Sequence, residues 1–245
     1  AWKLFANYET SFGSLQYFQL GQGGNGDQTA NGLQPEKAKT YEIGTRYNDN
    51  VWGGEVTLFY IDFSDELQYV SNDDVGWTNL GATKHTGIEA SAHYDLADLD
   101  PRLEGLSANA GFTYTKATAE GDVAFKGRDL PLYSRQVATL GLRYAVNHWT
   151  HNLDAYAQAG QRAPGTTNTY ITEPTADGQY GDIPGYVSVN VRSGYDFGPQ
   201  LSNLKLGVGV KNVFDQQHFT RSSDNNAGIY LGEPRTFFVQ ASVGF

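Results

Sequence analysis

Few residues in this 245-residue chain could carry chemistry, and their spacing says what each could do. Cysteine is absent, which excludes disulfides, thiol catalysis and thiolate metal sites. Of the five histidines, His85 and His93 are isolated in sequence. His148 and His151 stand three apart, which on a strand means opposite faces, so no metal site is expected there. His218 lies near Asp215 and Asp224. That spacing would suit a His–Asp pair of a hydrolase working at a protein rim, but a polar loop histidine is the better reading. Gly21, Gly23 and Gly26 match the letters of a dinucleotide fingerprint. The fingerprint needs a strand before it and a helix after it, whereas Asp27, Gln28, Thr29, Ala30, Asn31 and Gly32 read as loop. Glu173, Asp177 and Asp182 make an acidic loop that could meet divalent cations, with nothing to set a coordination geometry.

The elements that must hold these residues are strands. In residues 235–245, Phe237, Val239, Ala241, Val243 and Phe245 alternate with Phe238, Gln240, Ser242 and Gly244. A strand sends these two sets to opposite faces. The recipe recurs upstream. Tyr41, Ile43, Thr45 and Tyr47 oppose Thr40, Glu42, Gly44 and Arg46. Ile88, Ala90, Ala92 and Tyr94 oppose Glu89, Ser91, His93 and Asp95. Leu204, Leu206, Val208 and Val210 oppose Lys205, Gly207, Gly209 and Lys211. About ten strands are predicted. The alternation blurs at Phe59, Ile61 and Phe63.

Composition narrows the reading. Mean hydropathy is −0.48, and no run of eighteen apolar residues exists that could form a membrane-spanning helix. Barrel strands escape that test because only every second residue is apolar. Tyr 16, Phe 13, Trp 4 and Gly 29 suit aromatic girdles and crowded walls. The net charge of −10 excludes nucleic acid as a natural partner, since phosphate binding needs basic patches.

One face of each strand is apolar and the other carries Arg, Lys, Asp, Glu and Gly, which a sandwich core would not tolerate. Connections alternate between short (48–50, 146–148, 198–202) and long (17–33, 119–131, 162–182, 218–232). That alternation predicts an antiparallel transmembrane β-barrel with its apolar face in lipid and its polar face on a wet lumen. The first residues, Trp2, Leu4, Ala6 and Tyr8, already alternate, so a preceding segment is expected.

The motifs sharpen this. Leu33-Gln34-Pro35-Glu36-Lys37 with Tyr41-Glu42-Ile43-Gly44, then Leu58-Phe59-Tyr60, His85-Thr86-Gly87-Ile88-Glu89, Val210-Lys211-Asn212-Val213-Phe214-Asp215, and Pro234-Arg235-Thr236 with Phe245 resemble the C-terminal part of TonB-dependent outer-membrane receptors. The likeness spans the chain and is greatest to the receptors that take up ferric citrate. It implies an all-β fold in which residues 1–245 are the C-terminal portion of one barrel domain, about the last ten strands of twenty-two. The plug, the earlier strands and any signalling domain would lie outside this sequence.

The resemblance further implies an outer-membrane location, no enzymatic activity and no cofactor, with iron present only as the transported chelate. The implied partners are ferric citrate or a related ferric chelate, the TonB complex through N-terminal parts, outer-membrane lipids and lipopolysaccharide. Aligned from the C-terminus, a ligand-touching asparagine of the family falls on Asn225, and a ligand-touching glutamine falls near Asn72. Arg221 is added as a cation in the loop of Asn225, able to meet a chelate carboxylate or a lipid headgroup. Other readings are a receptor for another ferric siderophore, a ten-stranded outer-membrane hydrolase and a passive porin.

Overall fold

The computed structural model describes residues 1–16, 33–72, 75–79, 81–121, 126–162, 181–222 and 229–244. In chain order the strands are β1 (Lys3–Gly13), β2 (Glu36–Asn48), β3 (Trp52–Ser64), β4 (Leu67–Asn72), β5 (Val75–Asn79), β6 (Thr83–Asp95), β7 (Leu106–Ala119) and β8 (Gln136–Val146). They continue with β9 (Trp149–Gln158), β10 (Gln161–Arg162), β11 (Asp182–Ile183), β12 (Tyr186–Asp196), β13 (Lys205–Lys211), β14 (Phe219–Ser222), β15 (Ile229–Leu231) and β16 (Thr236–Ser242).

Ten of these form one antiparallel meander in the order β1-β2-β3-β6-β7-β8-β9-β12-β13-β16. The other six make three two-stranded ribbons, β4–β5, β10–β11 and β14–β15, all inserted in connections at one end. The predicted ten strands and the alternation of short and long connections are thus present. The ribbons were not among the ten strands expected from sequence, and β14–β15 falls inside the stretch 218–232 read there as a long connection.

Register settles which face is which. Leu4, Thr45, Val56 and Ala90 form one lateral row, and Ala6, Ile43, Leu58, Ile88 and Tyr114 the next. These rows face outward with Leu140, Leu142, Val187, Val189, Val208 and Val239. The outward side chains stay uncovered even in the middle of the sheet: Leu58 is 52% exposed and Val187 48%. Among the described residues, the buried apolar set is only Ala38, Ala117, Ala119, Leu130 and Ile183. A soluble sandwich buries one face of each strand against a second sheet. Here the large apolar face has no protein partner, and its area far exceeds what a soluble surface ordinarily shows.

The blurred stretch of β3 resolves in the same way. Phe59, Ile61 and Phe63 pair laterally with Gly87, His85 and Thr83 on the inner face, while Leu58 and Tyr60 stay outward. Phe59 lies flat over Gly87: a Cβ built on that glycine would sit 2.5 Å from the ring and 2.1 Å from the Tyr114 carbonyl oxygen. Phe5 covers Gly44 and Phe238 covers Gly209 in the same manner, each across its own strand pair. An inward aromatic that occupies the space of a cross-strand glycine stiffens a glycine-rich wall. It also defeats a simple reading of apolar-out alternation.

Short connections are closed by local chemistry. Asp49 accepts hydrogen bonds from the backbone N–H of Val51 and Trp52 at 2.8 and 2.9 Å. Asn147 supplies left-handed backbone between β8 and β9, and Ser202 and Asn203 supply it between β12 and β13. Aromatics collect here: Tyr47 stacks on Trp52 at 4.2 Å, and Trp149 packs edge-on against Tyr195 at 4.8 Å. The opposite end of β1–β3 carries an outward tyrosine row, Tyr8–Tyr41–Tyr60, with centroids 5.0 and 6.0 Å apart. Two aromatic levels flanking an aliphatic band are what a membrane-spanning wall requires. No helix among the described residues is long and apolar enough to cross a membrane.

Candidate functional site at the long-loop end

The three ribbons rise from the same end of the wall, and buried polar clusters fix their roots. At the root of β4–β5, Glu66 accepts a hydrogen bond from Thr83, which is fully buried, and lies 3.5 Å from Nε2 of His85. His85 is itself buried, with its ring between Phe63 and Tyr133 at 5.1 Å from each. Glu36 accepts the Leu67 N–H at 3.2 Å. Asn79 closes the far strand, accepting from Gln34 N and donating to the Gln34 and Asp65 carbonyls. Tyr133 stands beside this group, its ring edge-on to His85. Partial burial first (Tyr133 is 42% exposed), and then the carboxylates of Glu66 and Glu36, push its pKa up to about 12.

The root of β14–β15 is a corner built on the Lys211–Asp215 motif. Asn212 takes left-handed backbone with φ 46 and is 2% exposed. Its side chain donates to the Gln216 and Glu233 carbonyls at 3.0 Å each and accepts the Gln216 N–H at 3.0 Å. Its own N–H donates to Asn190 at 2.9 Å. Asp215 then accepts the Arg235 N–H at 2.9 Å, and Lys211 pairs with Glu233 at 3.1 Å. Gln161, beside β11, donates to the Thr220 carbonyl at 2.6 Å and ties the ribbon to its neighbour. The Lys211–Asp215 motif is therefore a folded joint.

Asn72 ends β4 and its backbone pairs with Val75; Arg221 sits in β14 opposite Tyr230. The side chains of both, and all of Asn225, lie outside the described residues. The fold puts Asn72 and Arg221 on ribbons at the long-loop end. Gly21, Gly23, Gly26, Glu173, Asp177 and Asp224 also lie outside the described residues. Asp182 faces Arg162 at 3.8 Å.

Among the described residues, His218 meets no carboxylate that would make the dyad of the hydrolase reading. Its Nδ1 donates to the Gln216 carbonyl at 2.9 Å, its ring stacks on Tyr186 at 4.1 Å, and the ring edge packs against Gly232. Asp215 is engaged by Arg235 instead. Among the described residues no three His, Asp or Glu side chains converge as a metal site. Sequence reasoning missed the Glu66–Thr83–His85–Tyr133 cluster. Its one signal was two polar residues, Thr83 and His85, at successive inward positions beside Phe63.

Away from this end the inner wall is polar and solvated. Arg46 reaches across to Glu55 at 2.5 Å with its guanidinium 5.6 Å from the Phe5 ring centroid. Near the short turns, Arg143, Asn152, Arg192 and Gln240 line a concavity of about 410 Å³.

An antiparallel wall with an uncovered apolar outside, a charged inside, aromatic levels and loops massed at one end defines a membrane-spanning β-barrel protein. The sequence model of the TonB dependent receptor-like β-barrel family matches residues 1–213, and the chain belongs to that family. Among solved structures, the unliganded ferric citrate transporter FecA is 41% identical with a TM-score of 0.83, covering 99% of this chain and 36% of that one. The ferric-catecholate import receptor Fiu of E. coli K12 is 26% identical with a TM-score of 0.72, covering 100% of this chain and 33% of its own. The metal-pseudopaline receptor CntO of Pseudomonas aeruginosa is 25% identical over 99% of this chain and 31% of its length. The chain thus spans about a third of the relatives it matches. Those relatives are receptors and transporters, not enzymes.

Proposed function

We propose that this chain is the C-terminal part of the barrel of an outer-membrane importer of ferric citrate, driven through TonB. Residues 1–245 supply ten strands of a larger closed wall. β1 and β16 are the edges of the described sheet, and open edges in lipid leave backbone groups unsatisfied, so further strands must complete it. A plug inside the wall and a TonB-contacting segment belong to the rest of the protein. Outer-membrane lipids, lipopolysaccharide among them, surround the apolar face. The observation that carries the substrate is the 41% identity, sustained over the whole chain, to a protein described as a ferric citrate transporter. The ferric-catecholate and metal-pseudopaline relatives favour a second reading, uptake of another metal chelate.

The ligand is held by the long-loop ribbons, with Asn225, Arg221 and Asn72 presented to the carboxylates of the chelate. Amide and guanidinium donors suit an anion through charge-assisted hydrogen bonds. The test is ferric citrate binding to the full-length receptor in detergent, wild type against Asn225→Ala. Saturable binding weakened by about 1–3 kcal/mol in the variant is expected, since a sheltered donor to a carboxylate is lost. Wild-type protein that ignores ferric citrate but binds a catecholate or hydroxamate chelate would replace the substrate.

A further inference from the structure

We infer that the outward face of β2, β3, β6 and β7 at the long-loop end binds the phosphates of membrane lipid headgroups through Lys37, Lys39, Lys84 and Lys116. The inference rests on the reading of this sheet as a membrane-spanning wall. It adds to that reading a specific cationic site, on the outside of the barrel, away from the chelate.

The argument starts from register. Tyr8, Tyr41, Tyr60, Thr86 and Lys116 form one outward row. The next row toward the long loops is Thr10, Lys39, Asp62, Lys84 and Thr118, and beyond it Phe12 faces Lys37, which faces Ser64. Four of the eight lysines in the chain therefore fall on one patch two strand-pairs wide, in a protein whose net charge is −10. They share the face of Ile43, Leu58 and Ile88 and sit at or just past the tyrosine level, where apolar membrane gives way to headgroups.

Their charges are largely unspent. Lys37, Lys39 and Lys116 are exposed and have no carboxylate within salt-bridge distance among the described residues. Lys84 reaches Glu120 at 3.6 Å, with its side chain 40% exposed. Asp62 stands between Lys39 and Lys84 in the row without a close ion pair to either. Two carboxylates against four ammonium groups leave the patch net positive. A lysine is a compact, mobile charge that suits phosphate at a fluid surface rather than a bidentate fit. The electrostatic attraction of each basic residue for an anionic lipid surface is enough to favour binding measurably. An inward-facing cation of this wall, such as Lys205 paired with Asp196 at 2.9 Å, has a protein partner instead.

The experiment is native mass spectrometry of the full-length receptor with bisphosphorylated lipid A and with its dephosphorylated counterpart. The variants are the fourfold Lys37→Gln, Lys39→Gln, Lys84→Gln, Lys116→Gln, the control Lys3→Gln at the short-turn end, and Asp62→Asn. Wild type and Lys3→Gln should hold the phosphorylated lipid preferentially. Affinity should fall on the order of fivefold for each lysine removed, and Asp62→Asn should tighten binding by a few-fold. Equal retention by the fourfold variant, no preference for phosphate in the wild type, or full displacement by inorganic phosphate would each overturn the assignment. Ferric citrate binding and heat-modifiable gel mobility, measured on the same samples, report the fold and the importer reading separately. A wild type that keeps the phosphorylated lipid but binds no ferric chelate supports this site and overturns only the proposed substrate.

Discussion

Replacing Asn212 with alanine should open the joint between β13 and β16. The side chain makes three hydrogen bonds to backbone groups, all at 3.0 Å, from a position 2% exposed. Each is worth about 1 kcal/mol net, and truncation leaves the Gln216 N–H and two carbonyls without that partner. The backbone at φ 46 adds about 1 kcal/mol for alanine, which tolerates the left-handed region less well than asparagine. The sum is about 4 kcal/mol, and rehydration of the freed groups at the rim lowers it to no less than about 2 kcal/mol. Asn212→Gly removes the backbone cost but not the lost bonds, so about 1–3 kcal/mol should remain. Hydrogen exchange on the full-length receptor reads this locally. The amides of Val213, bonded to Val189, and Arg235, bonded to Asp215, report on the corner. Both should exchange roughly 30- to 1,000-fold faster in the alanine variant. Exchange within about threefold of wild type would refute the claim that the side chain, rather than the flanking ladder, holds the corner.

Other consequences follow from the same reasoning. Thr83→Val keeps the shape but removes the buried donor to Glu66, and should cost about 1–3 kcal/mol, seen as faster exchange at the root of β4–β5. Tyr133 has its pKa raised to about 12, so the neutral phenol is the form the fold favours. Its contribution is complete below the ordinary tyrosine range near 10 and is lost as pH rises from about 10 through 12. An alkaline stability titration should show that loss, and Tyr133→Phe should flatten it. Gly87→Val would drive a side chain into the Phe59 ring and the Tyr114 carbonyl, costing about 1–3 kcal/mol or more. Slower refolding into detergent, with lower yield of the compact gel form, is the expected readout.

The sequence alone determined the class of fold, and the reason is the period of two. In a wall with lipid on one side and water on the other, nearly every strand residue must declare its face, so β2, β6, β8, β12, β13 and β16 were legible residue by residue. Turn chemistry at 48–50 and 146–148 marked the short end. The motifs carried the family, since joints such as Lys211–Asp215 demand particular side chains.

The remaining features depend on partners distant in sequence and emerge only when the chain folds. Phe59 could be assigned to the inner face only once Gly87 was seen beneath it, because a wall glycine and its covering aromatic lie on different strands. Glu66 and His85 are 19 positions apart, and their meeting depends on how a ribbon folds back at its root. The fates of Asp215 and His218 were likewise open in sequence. Proximity along the chain suggested a pair, and the fold gave Asp215 to Arg235 and His218 to Gln216. The lysine patch also emerges only from register, which sets residues from 37 to 116 side by side. A one-residue slip of any strand would have turned its lysines to the lumen.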